Sequence, residues 1–383
     1  MNALSWFPTP HKDSLAILFD ITSATVGVAV VDYRKDKPIQ VLFTHRELIS
    51  YGENQDAKSL GEYVGAAIKA AGAKALEGLR TQKHSGAYTV HAVVHAPWAD
   101  SESQKAESVL PSEIVITKEV LQQFMAKKLP STPIEGHIEF DHHITQIALN
   151  GYPTKNPYQK EASQIAMTTI KSSMSEILYD CIMQAFDDVF PNHEVHMDAF
   201  LFVVTQMDEF FENQDAYTVL DIGGEYSSLT IVRDTVVVST IGISFGTEYL
   251  VRAIMDSEQS SRHTAVSQIS MYLDNTCTPS QCRKIETALE VAGQEWVRAF
   301  GDACATMSKT YRIPPHTYLA VGKRYETWFK KLIEKIDFAH FTVTGKPLEA
   351  HLFALEKGTR QLFFSKGAQR DLLLSLDVLF VDK

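Results

Sequence analysis

The sequence has few cysteines and no long apolar run. Its 383 residues include four cysteines, too few for a disulfide framework in a chain of this size, so we expect reduced thiols in a cytoplasmic protein. Only Cys277 and Cys282 lie close together, and no second pair completes the four ligands of a structural zinc site. The remaining two are Cys181 and Cys304. Without a run of about 18 apolar residues or a signal-peptide pattern at the start, we expect no membrane-spanning segment.

The sequence also has fewer basic than acidic residues. Lysine and arginine number 36 against 47 aspartates and glutamates, which gives a net charge of −11. This excess repels nucleic-acid phosphates and anionic lipid headgroups, so neither nucleic acid nor direct membrane insertion is expected. No Gly-x-Ser-x-Gly segment occurs, which leaves nucleophilic hydrolase chemistry without support. With 45% hydrophobic and 22% charged residues, the composition predicts an ordered globular chain of two or three lobes.

Periodicity divides the chain into strand and helix segments. Apolar residues recur at three- and four-residue steps over Lys58–Arg80 and Met174–Phe190, which predicts two amphipathic helices. A helix-dominated stretch runs from about 247 to 310. The polar segment ADSESQKAES predicts a boundary between units. Apolar runs at His196–Thr205 and Leu372–Val381 predict strands.

Two segments repeat one pattern. LAILFDITSATVGVAVVDY and TVLDIGGEYSSLTIVRD each contain an apolar strand that ends in Asp-Ile, a run of small or hydroxyl residues, and a second strand. In such hairpins, backbone N–H groups can face a phosphate and a carboxylate can hold a hydrated divalent cation. The pattern predicts two loops that clamp a nucleotide's phosphates from both sides. Ordinary hairpins, in which the aspartate caps the turn, are the alternative.

The order of the later segments resembles that of the actin-like ATPase superfamily. The second hairpin is followed by ISFGTEYLVRAI, and later by a strand-glycine-helix segment, YLAVGKRYETWFKKLI. The segment ITQIALNGYPTKNPYQKEASQIAMTTI resembles the strand-loop-strand of the extra subdomain in two bacterial families, the cell-division protein FtsA and the type IV pilus assembly protein PilM. This similarity of order covers most of residues 14–340.

The resemblance implies an α/β, two-lobed actin-like (ribonuclease-H-like) fold with an inserted α+β subdomain. It places a first lobe at 1–100, the FtsA/PilM-type insert at 101–200 and a second lobe at 201–345, whose helical subdomain covers about 250–312. The segment 346–383 is expected to pack back on the core.

It also implies a cleft for ATP and Mg²⁺ between the lobes, with Asp20 and Asp221 holding the ion through water. The residues expected to line this cleft are Asp20, Thr22, Ser23, Thr25, Asp221, Gly223, Gly224, Ser227, Gly246 and Gly322.

The chain departs from the superfamily's phosphate loops at several positions. Thr22 replaces an expected glycine, and Glu225-Tyr226 replace the small residues of the second loop. A carboxylate beside a phosphate repels it, so we expect Glu225 to be the main obstacle to nucleotide binding. The adenosine turn has one glycine, Gly322, where two are usual. These changes predict weak or degenerate ATP binding, with ATPase activity weak or lost, and no catalytic residue can be named.

The resemblance implies a cytoplasmic scaffold that recruits or organises division or pilus machinery at the inner face of the membrane. Its partner would be the cytosolic segment of a membrane protein, and self-assembly stays open. The chain ends in DLLLSLDVLFVDK, without the basic amphipathic helix typical of FtsA-like proteins, which favours a PilM-like mode. An active actin-fold ATPase or small-molecule phosphotransferase is the alternative function.

One further segment, HIEFDHH, contains potential metal ligands. On a regular strand, His137, Asp141 and His143 share one face while His142 points the other way. Three ligands on one exposed strand seldom surround an ion. The interpretation we favour is therefore a polar strand face.

Overall fold

The computed structural model describes residues 14–35, 37–81, 86–130, 134–211, 214–357 and 360–382. The start of the chain, on which the signal-peptide expectation rests, lies outside these ranges. The described strands are β1 (Ser14–Ile21), β2 (Thr25–Tyr33), β3 (Ile39–Leu48), β4 (Tyr88–Val94), β5 (Asp100–Val115), β6 (His137–Leu149), β7 (Tyr152–Pro153), β8 (Glu161–Ser175), β9 (Val195–Ala199), β10 (Ala216–Ile222), β11 (Ser227–Arg233), β12 (Val236–Ile243), β13 (His316–Val321), β14 (Glu349–Leu352) and β15 (Leu362–Phe364). The described helices are α1 (Ala57–Thr81), α2 (Lys118–Lys128), α3 (Glu176–Val189), α4 (Phe200–Thr205), α5 (Thr247–Glu258), α6 (Arg262–Leu273), α7 (Pro279–Ser308), α8 (Glu326–Glu334) and α9 (Leu372–Val381).

The first lobe is a six-stranded sheet with the order β15-β3-β2-β1-β4-β9. Its central strand β1 pairs antiparallel with β2 and parallel with β4. Helices α1 and α3, both predicted from periodicity, pack together on one face of this sheet. Phe19 of β1 meets Phe186 of α3 edge to face, with ring centroids 5.0 Å apart, so the aromatic core lies directly beneath the strand that ends at Asp20.

The second lobe repeats this arrangement. Its five-stranded sheet has the order β12-β11-β10-β13-β14, and β10 pairs antiparallel with β11 and parallel with β13. The predicted helix-dominated stretch forms α5, α6 and α7, and the core contains a stacked pair, Trp296 and Phe300. The internal repeat read from the sequence is therefore a repeat of sheet topology, which places the ends of β1 and β10 in equivalent positions.

The inserted unit is a four-stranded antiparallel sheet, β5-β8-β6-β7, with its own small core against α2. The polar segment predicted as a boundary between units lies where the chain passes from the six-stranded sheet to the inserted sheet, and it forms the first half of the 16-residue strand β5. Side chains of β5 alternate between exposed and partly buried positions, as they do in an edge strand with one solvated face. The polar residues of this segment therefore belong to a solvent-exposed sheet face and not to a linker.

The C-terminal run Leu372–Val381 is the helix α9, so the predicted strand is wrong. Nearly every residue of α9 is buried, and its core includes residues of both lobes. Tyr33 of β2 donates a hydrogen bond to the carbonyl of Val378, at 2.9 Å. Because α9 is buried on all sides, its sequence is apolar nearly throughout and shows neither a helical nor a strand period. Periodicity therefore could not identify it as a helix. The same reason explains a second error, since the predicted strand His196–Thr205 is β9 followed by the buried helix α4.

Two of the four cysteines are not reduced thiols. Cys277 and Cys282 form a disulfide, while Cys181 and Cys304 are free. The first turn of α7, which begins at Pro279 and is capped by Thr278, folds Cys282 back toward Cys277. Within the described ranges, no helix combines the length and the apolar content needed to cross a membrane.

Candidate functional site

The first predicted phosphate loop follows β1 and is closed by its own threonines. The Thr22 hydroxyl donates to the Thr25 carbonyl at 3.0 Å, and the Thr25 N–H donates back to the Thr22 hydroxyl at 3.1 Å. A side-chain oxygen thus forms a turn that is built with glycine in related loops. Thr22 and Ser23 are both buried, so this loop is packed and not open to solvent.

The second loop follows β10 and touches the first one directly. The backbone N–H of Glu225 donates to the Ser23 hydroxyl at 3.0 Å. A Cβ atom on Gly223 would lie 2.9 Å from that hydroxyl, and one on Gly224 would overlap Ala24. Both glycines therefore permit close approach of the two loops to each other. The two loops predicted to clamp a phosphate are thus in direct contact with each other.

The remaining predicted site residues divide into two groups. At the start of α5, the N–H groups of Thr247 and Glu248 donate to the carbonyls of Gly223 and Gly224, at 3.0 and 2.8 Å. Gly246 lets this turn contact the second loop, since a Cβ atom there would overlap the loop backbone. The Ser227 hydroxyl donates to the Phe245 carbonyl at 2.6 Å. The N–H groups at the start of α5 therefore donate to carbonyls of the second loop and are not free to bind an anion.

Gly322 has different surroundings. It follows β13, and a Cβ atom built on it would meet no heavy atom within 4 Å. This position is open, in contrast to the packed glycines of the second loop.

The carboxylates of Asp20 and Asp221 face each other across an imidazole. Asp20 is fully buried, with Oδ1 2.6 Å from His95 Nε2 and Oδ2 2.6 Å from Arg46 Nη2. These two contacts are charge pairs and not aligned hydrogen bonds. On the other side of the ring, His95 Nδ1 lies 2.9 Å from Asp221 Oδ2. His95 thus joins the end of β1 in one lobe to the end of β10 in the other.

Arg46 connects this network to helix α9, which packs against both lobes. It donates to both carboxylate oxygens of Asp371, at 2.8 and 2.9 Å. Asp371 in turn caps α9 by accepting the N–H of Leu374 at 3.2 Å. Arg46 also donates to the Thr25 hydroxyl at 3.0 Å. One guanidinium therefore ties the first hairpin, the Asp20 carboxylate and the start of α9 together.

The electrostatics of this network favour its charged form. Burial alone would lower the pKa of His95, but the carboxylates of Asp221 and Asp20 outweigh it and raise that pKa to about 10. Burial would raise the pKa of Asp20, yet Arg46 and His95 together hold it below its usual value. At neutral pH the site contains an imidazolium between two carboxylates, with a guanidinium beside one of them.

A magnesium–nucleotide complex does not fit these residues in this conformation. Two protein cations contact Asp20 where a hydrated ion would lie, and the two loops are in direct contact. The structure weighs against Glu225 as the main obstacle, because its Oε1 accepts a hydrogen bond from Arg252 at 2.7 Å and both side chains are partly exposed. The contact between the two loops and the two cations beside Asp20 are further features that oppose a nucleotide in this conformation.

Part of the cleft stays open beside Asp221. A cavity of about 340 Å³ lies between the lobes and the start of the inserted unit. Asp221, Tyr226 and the hydroxyl residues Ser228, Thr230 and Thr240 contribute its polar lining. Tyr226 therefore borders a cavity in the cleft as well as belonging to the loop.

Sequence reasoning did not identify His95 or Arg46. His95 follows β4, which lies parallel to β1 with Val94 opposite Ile21, and its N–H donates to the Ile21 carbonyl at 3.0 Å. A polar residue just after the strand that neighbours Asp20 was a usable signal. Arg46 gave no such signal, because it lies within β3, a strand that does not neighbour β1 in the sheet.

The histidine-rich segment is brought together differently from the prediction. A bulge at Phe140 puts Glu139 opposite Ser173 and Asp141 opposite Ser172, so residues before and after it alternate out of phase. His137 therefore does not share a face with Asp141 and His143. Asp198 of β9 takes its place, and these three form one of two potential metal-ligand groups in the described chain. The other is His316, Glu349 and His351.

Comparisons with known proteins identify the fold that contains this site. No family model matches the chain, and no curated protein matches it in sequence. Among solved structures, the PilM-PilN type IV pilus biogenesis complex matches with a TM-score of 0.59 at 15% identity, over 97% of this chain and 99% of that chain. MreB 5 of Spiroplasma citri matches with a TM-score of 0.46 at 10% identity, over 97% and 96%. EutJ of Carboxydothermus hydrogenoformans gives 0.46 at 10%, over 91% and 88%.

The chain therefore has the two-lobed actin-like ATPase fold with an inserted α+β subdomain. The likeness to the PilM structure confirms the fold class that the resemblance implied.

Proposed function

We propose that this protein is an actin-fold scaffold of the PilM type whose cleft is held closed by the Asp20–His95–Asp221 bridge. Its partner is the cytosolic segment of a membrane protein in a pilus or division machine. The observation that carries the proposal is the likeness to PilM over nearly the whole chain, since that PilM structure is a complex with PilN. The division of the chain at 100, 200 and 345 remains part of this proposal, except that α3 and β9 are assigned to the first lobe, with whose sheet they pack.

The state of the cleft supports a scaffold over an enzyme. In an ATPase of this fold, catalysis requires a placed water, a metal and the nucleotide phosphates between the loops. Here His95 and Arg46 contact Asp20, one of the two carboxylates predicted to hold the metal, and Ser23 accepts a hydrogen bond from the opposite loop. Arg46 and His95 supply the positive charge beside the facing carboxylates that a bound Mg²⁺ ion would otherwise supply. ATP binding is degenerate in this proposal, and the lobes keep one relative position.

A titration separates the scaffold from the active enzyme. Isothermal titration of the full chain with magnesium-ATP, followed by a phosphate-release assay, should show weak or no binding and no turnover. Rapid phosphate release, above all on addition of a small-molecule acceptor, would establish the ATPase or phosphotransferase instead.

A binding experiment tests the partner. Synthetic peptides that cover the cytosolic segments of pilus and division membrane proteins from the source organism are screened against the labelled chain. We expect a peptide from one machine to bind, and its membrane protein to bring the chain down with vesicles. Co-sedimentation with anionic vesicles that contain no protein would contradict the proposal, because it would show direct membrane binding.

A further inference from the structure

Two carboxylates and one imidazole converge where the inserted unit meets the first lobe. Asp141 and His143 lie two residues apart on β6, and Asp198 lies on β9, the edge strand of the six-stranded sheet. His143 Nε2 is 3.0 Å from Asp198 Oδ1 and also contacts Asp141 Oδ1. The three potential ligand atoms lie within 4.8 Å of one another. This cluster lies outside the network of His95.

The cluster has one hydrogen-bond donor too few. The Nε2 atom makes its hydrogen bond with Asp198, while Asp141 Oδ1 touches the same nitrogen without hydrogen-bond geometry. An imidazole N–H can serve only one acceptor well. Asp141 is only 4% exposed, so its Oδ1 is a buried carboxylate oxygen without a hydrogen-bond partner. Such an atom is costly unless another positive group meets it.

The surroundings fix the three groups in position. The backbone N–H of Ala199 donates to the other oxygen of Asp141 at 3.0 Å, which orients that carboxylate. Phe202 stacks on the His143 ring with centroids 3.8 Å apart and planes within 6°. Support of this kind is typical of groups that ligate a metal.

The geometry and the charges match a divalent ion of the zinc class. Zinc at about 2.0–2.1 Å from nitrogen and oxygen ligands holds neighbouring ligand atoms about 3.3 Å apart in a tetrahedron. The ligand atoms of this cluster lie within 4.8 Å of one another, so small side-chain movements bring them to that spacing. Two carboxylates balance the charge of the ion, and imidazole favours zinc over magnesium or calcium. The side chains of His143 and Asp198 are 21% and 16% exposed, which leaves a route for the ion and for a water as fourth ligand.

We propose that Asp141, His143 and Asp198 bind Zn²⁺, and that the ion fastens the inserted unit to the first lobe. The proposal is independent of the scaffold function. It assigns His143 the role of a ligand through Nε2, with both aspartates binding through Oδ1. The alternative is a metal-free ion pair, in which a protonated His143 lies between the two aspartates.

The test is a zinc titration of the full chain after treatment with a chelator. Four variants accompany the wild type: His143→Ala, Asp198→Asn, His142→Ala and His316→Ala. His142 is the matched control, because it neighbours His143 but faces away and contacts Glu139 at 3.1 Å. His316→Ala identifies any zinc held by the second, more exposed group.

We expect the wild type and His142→Ala to bind one zinc more than His143→Ala. Asp198→Asn should bind it at least about tenfold more weakly. Zinc should also raise the midpoint of thermal unfolding of the wild type and His142→Ala, and not that of His143→Ala. Because Asp198→Asn keeps the shape of the side chain, it decides the question if His143→Ala does not fold. Unchanged zinc stoichiometry and affinity in both variants, or no zinc on the wild type beyond that lost in His316→Ala, would overturn the proposal.

Discussion

Two histidines of this protein each meet two aspartates, and they do so in opposite ways. His95 uses one ring nitrogen for each carboxylate, is almost completely buried and has Arg46 beside it. His143 offers a single nitrogen to both of its carboxylates and is partly exposed. Both clusters contain one histidine and two aspartates, but two ring nitrogens face the carboxylates in the first cluster and only one does in the second.

This difference separates a finished ionic bridge from a site that can take an ion. At His95, each nitrogen of the protonated ring faces its own carboxylate and Arg46 supplies a second cation, so the negative charges are already matched. At His143, a single nitrogen serves two carboxylates, and a divalent ion would have to replace the proton that those carboxylates hold on the ring. A cluster of His and Asp is therefore informative about metal binding only when its positive and negative groups are counted.

Removal of each imidazole gives the largest effect and tests the comparison directly. His95→Ala leaves Asp221 without its buried cationic partner and removes the ring stacked 3.9 Å from Phe200. We expect a loss of about 3–5 kcal/mol in the free energy of unfolding. His143→Ala in chelator should cost about 1–2 kcal/mol, because that cluster is partly solvated. Urea unfolding curves of both variants and the wild type measure these losses.

His45→Ala is the control for the loss of a histidine as such. His45 pairs with Glu47 at 3.0 Å, and its side chain is 33% exposed. Its loss should cost less than about 1 kcal/mol. Equal losses for His95→Ala and His45→Ala would mean that the bridge contributes nothing to stability.

The pH dependence of stability sharpens the same comparison. The pKa of His95 is raised to about 10 in the folded protein, against about 6.5 in an unfolded chain. Between these values the folded state holds a proton that the unfolded state has lost. The bridge's contribution is therefore complete below about pH 6.5 and is lost as the pH rises toward 10, at up to about 1.4 kcal/mol per pH unit.

A wild-type curve alone cannot isolate this effect, because the carboxylates of Asp141 and Asp198 also raise the pKa of His143 to about 10. The measurement is the difference in unfolding free energy between the wild type and His95→Ala, taken from about pH 6.5 to 9.5. We expect that difference to shrink as the pH rises. A constant difference would show that His95 is neutral in the folded protein.

Much of the fold follows from the sequence because its signals are local. The repeated hairpins, the periodic helices α1 and α3, and the capped start of α7 each depend on residues near one another in the chain. The failures have one physical cause. Helix α9 is apolar nearly throughout and the first half of strand β5 is polar nearly throughout, and only their place in the molecule decides their structure. A period can be read only where one face differs from the other.

The candidate site was predictable to a smaller extent. Asp20 and Asp221 could be named because they end equivalent strands of a repeat. The closure of the cleft depends on His95 and Arg46, which come from different strands, and on contact between loops about 200 residues apart. Asp198 likewise joins Asp141 only in the folded chain. No spacing along the sequence encodes such meetings.

A third carboxyl near the bridge should behave in the opposite sense to Asp20. Asp377 on α9 is fully buried, and neither of its oxygens has a hydrogen-bond partner in the described chain. Burial, with Asp20 nearby, raises its pKa well above the usual value, so the folded protein binds this proton more tightly than the unfolded chain does. The unfolded carboxyl ionises near pH 3.9, and the contribution of Asp377 to stability therefore falls as the pH rises above about that value.

Asp377→Asn removes this cost and should stabilise the protein by about 1–2 kcal/mol at pH 7. The gain should vanish near pH 4, where the unfolded carboxyl is also neutral. Asp371→Asn is the contrasting variant, since that carboxylate accepts two hydrogen bonds from Arg46 and its loss should destabilise. Thermal unfolding at both pH values measures the effects. Destabilisation by Asp377→Asn at pH 7 would mean that the folded carboxyl is ionised.

The smallest expected effect is that of Glu225→Gly on nucleotide binding, and it decides between the sequence interpretation and the closed cleft. If charge repulsion from Glu225 were the obstacle, its removal would tighten magnesium-ATP binding about a hundredfold. In the structure, Arg252 compensates that charge, and the contact of Glu225 with Ser23 is made by the backbone N–H, which the substitution keeps. We therefore expect Glu225→Gly and Glu225→Gln to match the wild type within about threefold in an isothermal titration with one nucleotide stock.

Glu225→Gln keeps the size of the side chain and removes only its charge. Tighter binding by both variants would show that the loops separate in solution and that charge alone keeps ATP out; tighter binding by the glycine variant alone would assign the obstacle to the stiffness of the loop. No change in either leaves the bridge of His95 and Arg46 as the feature that excludes the nucleotide.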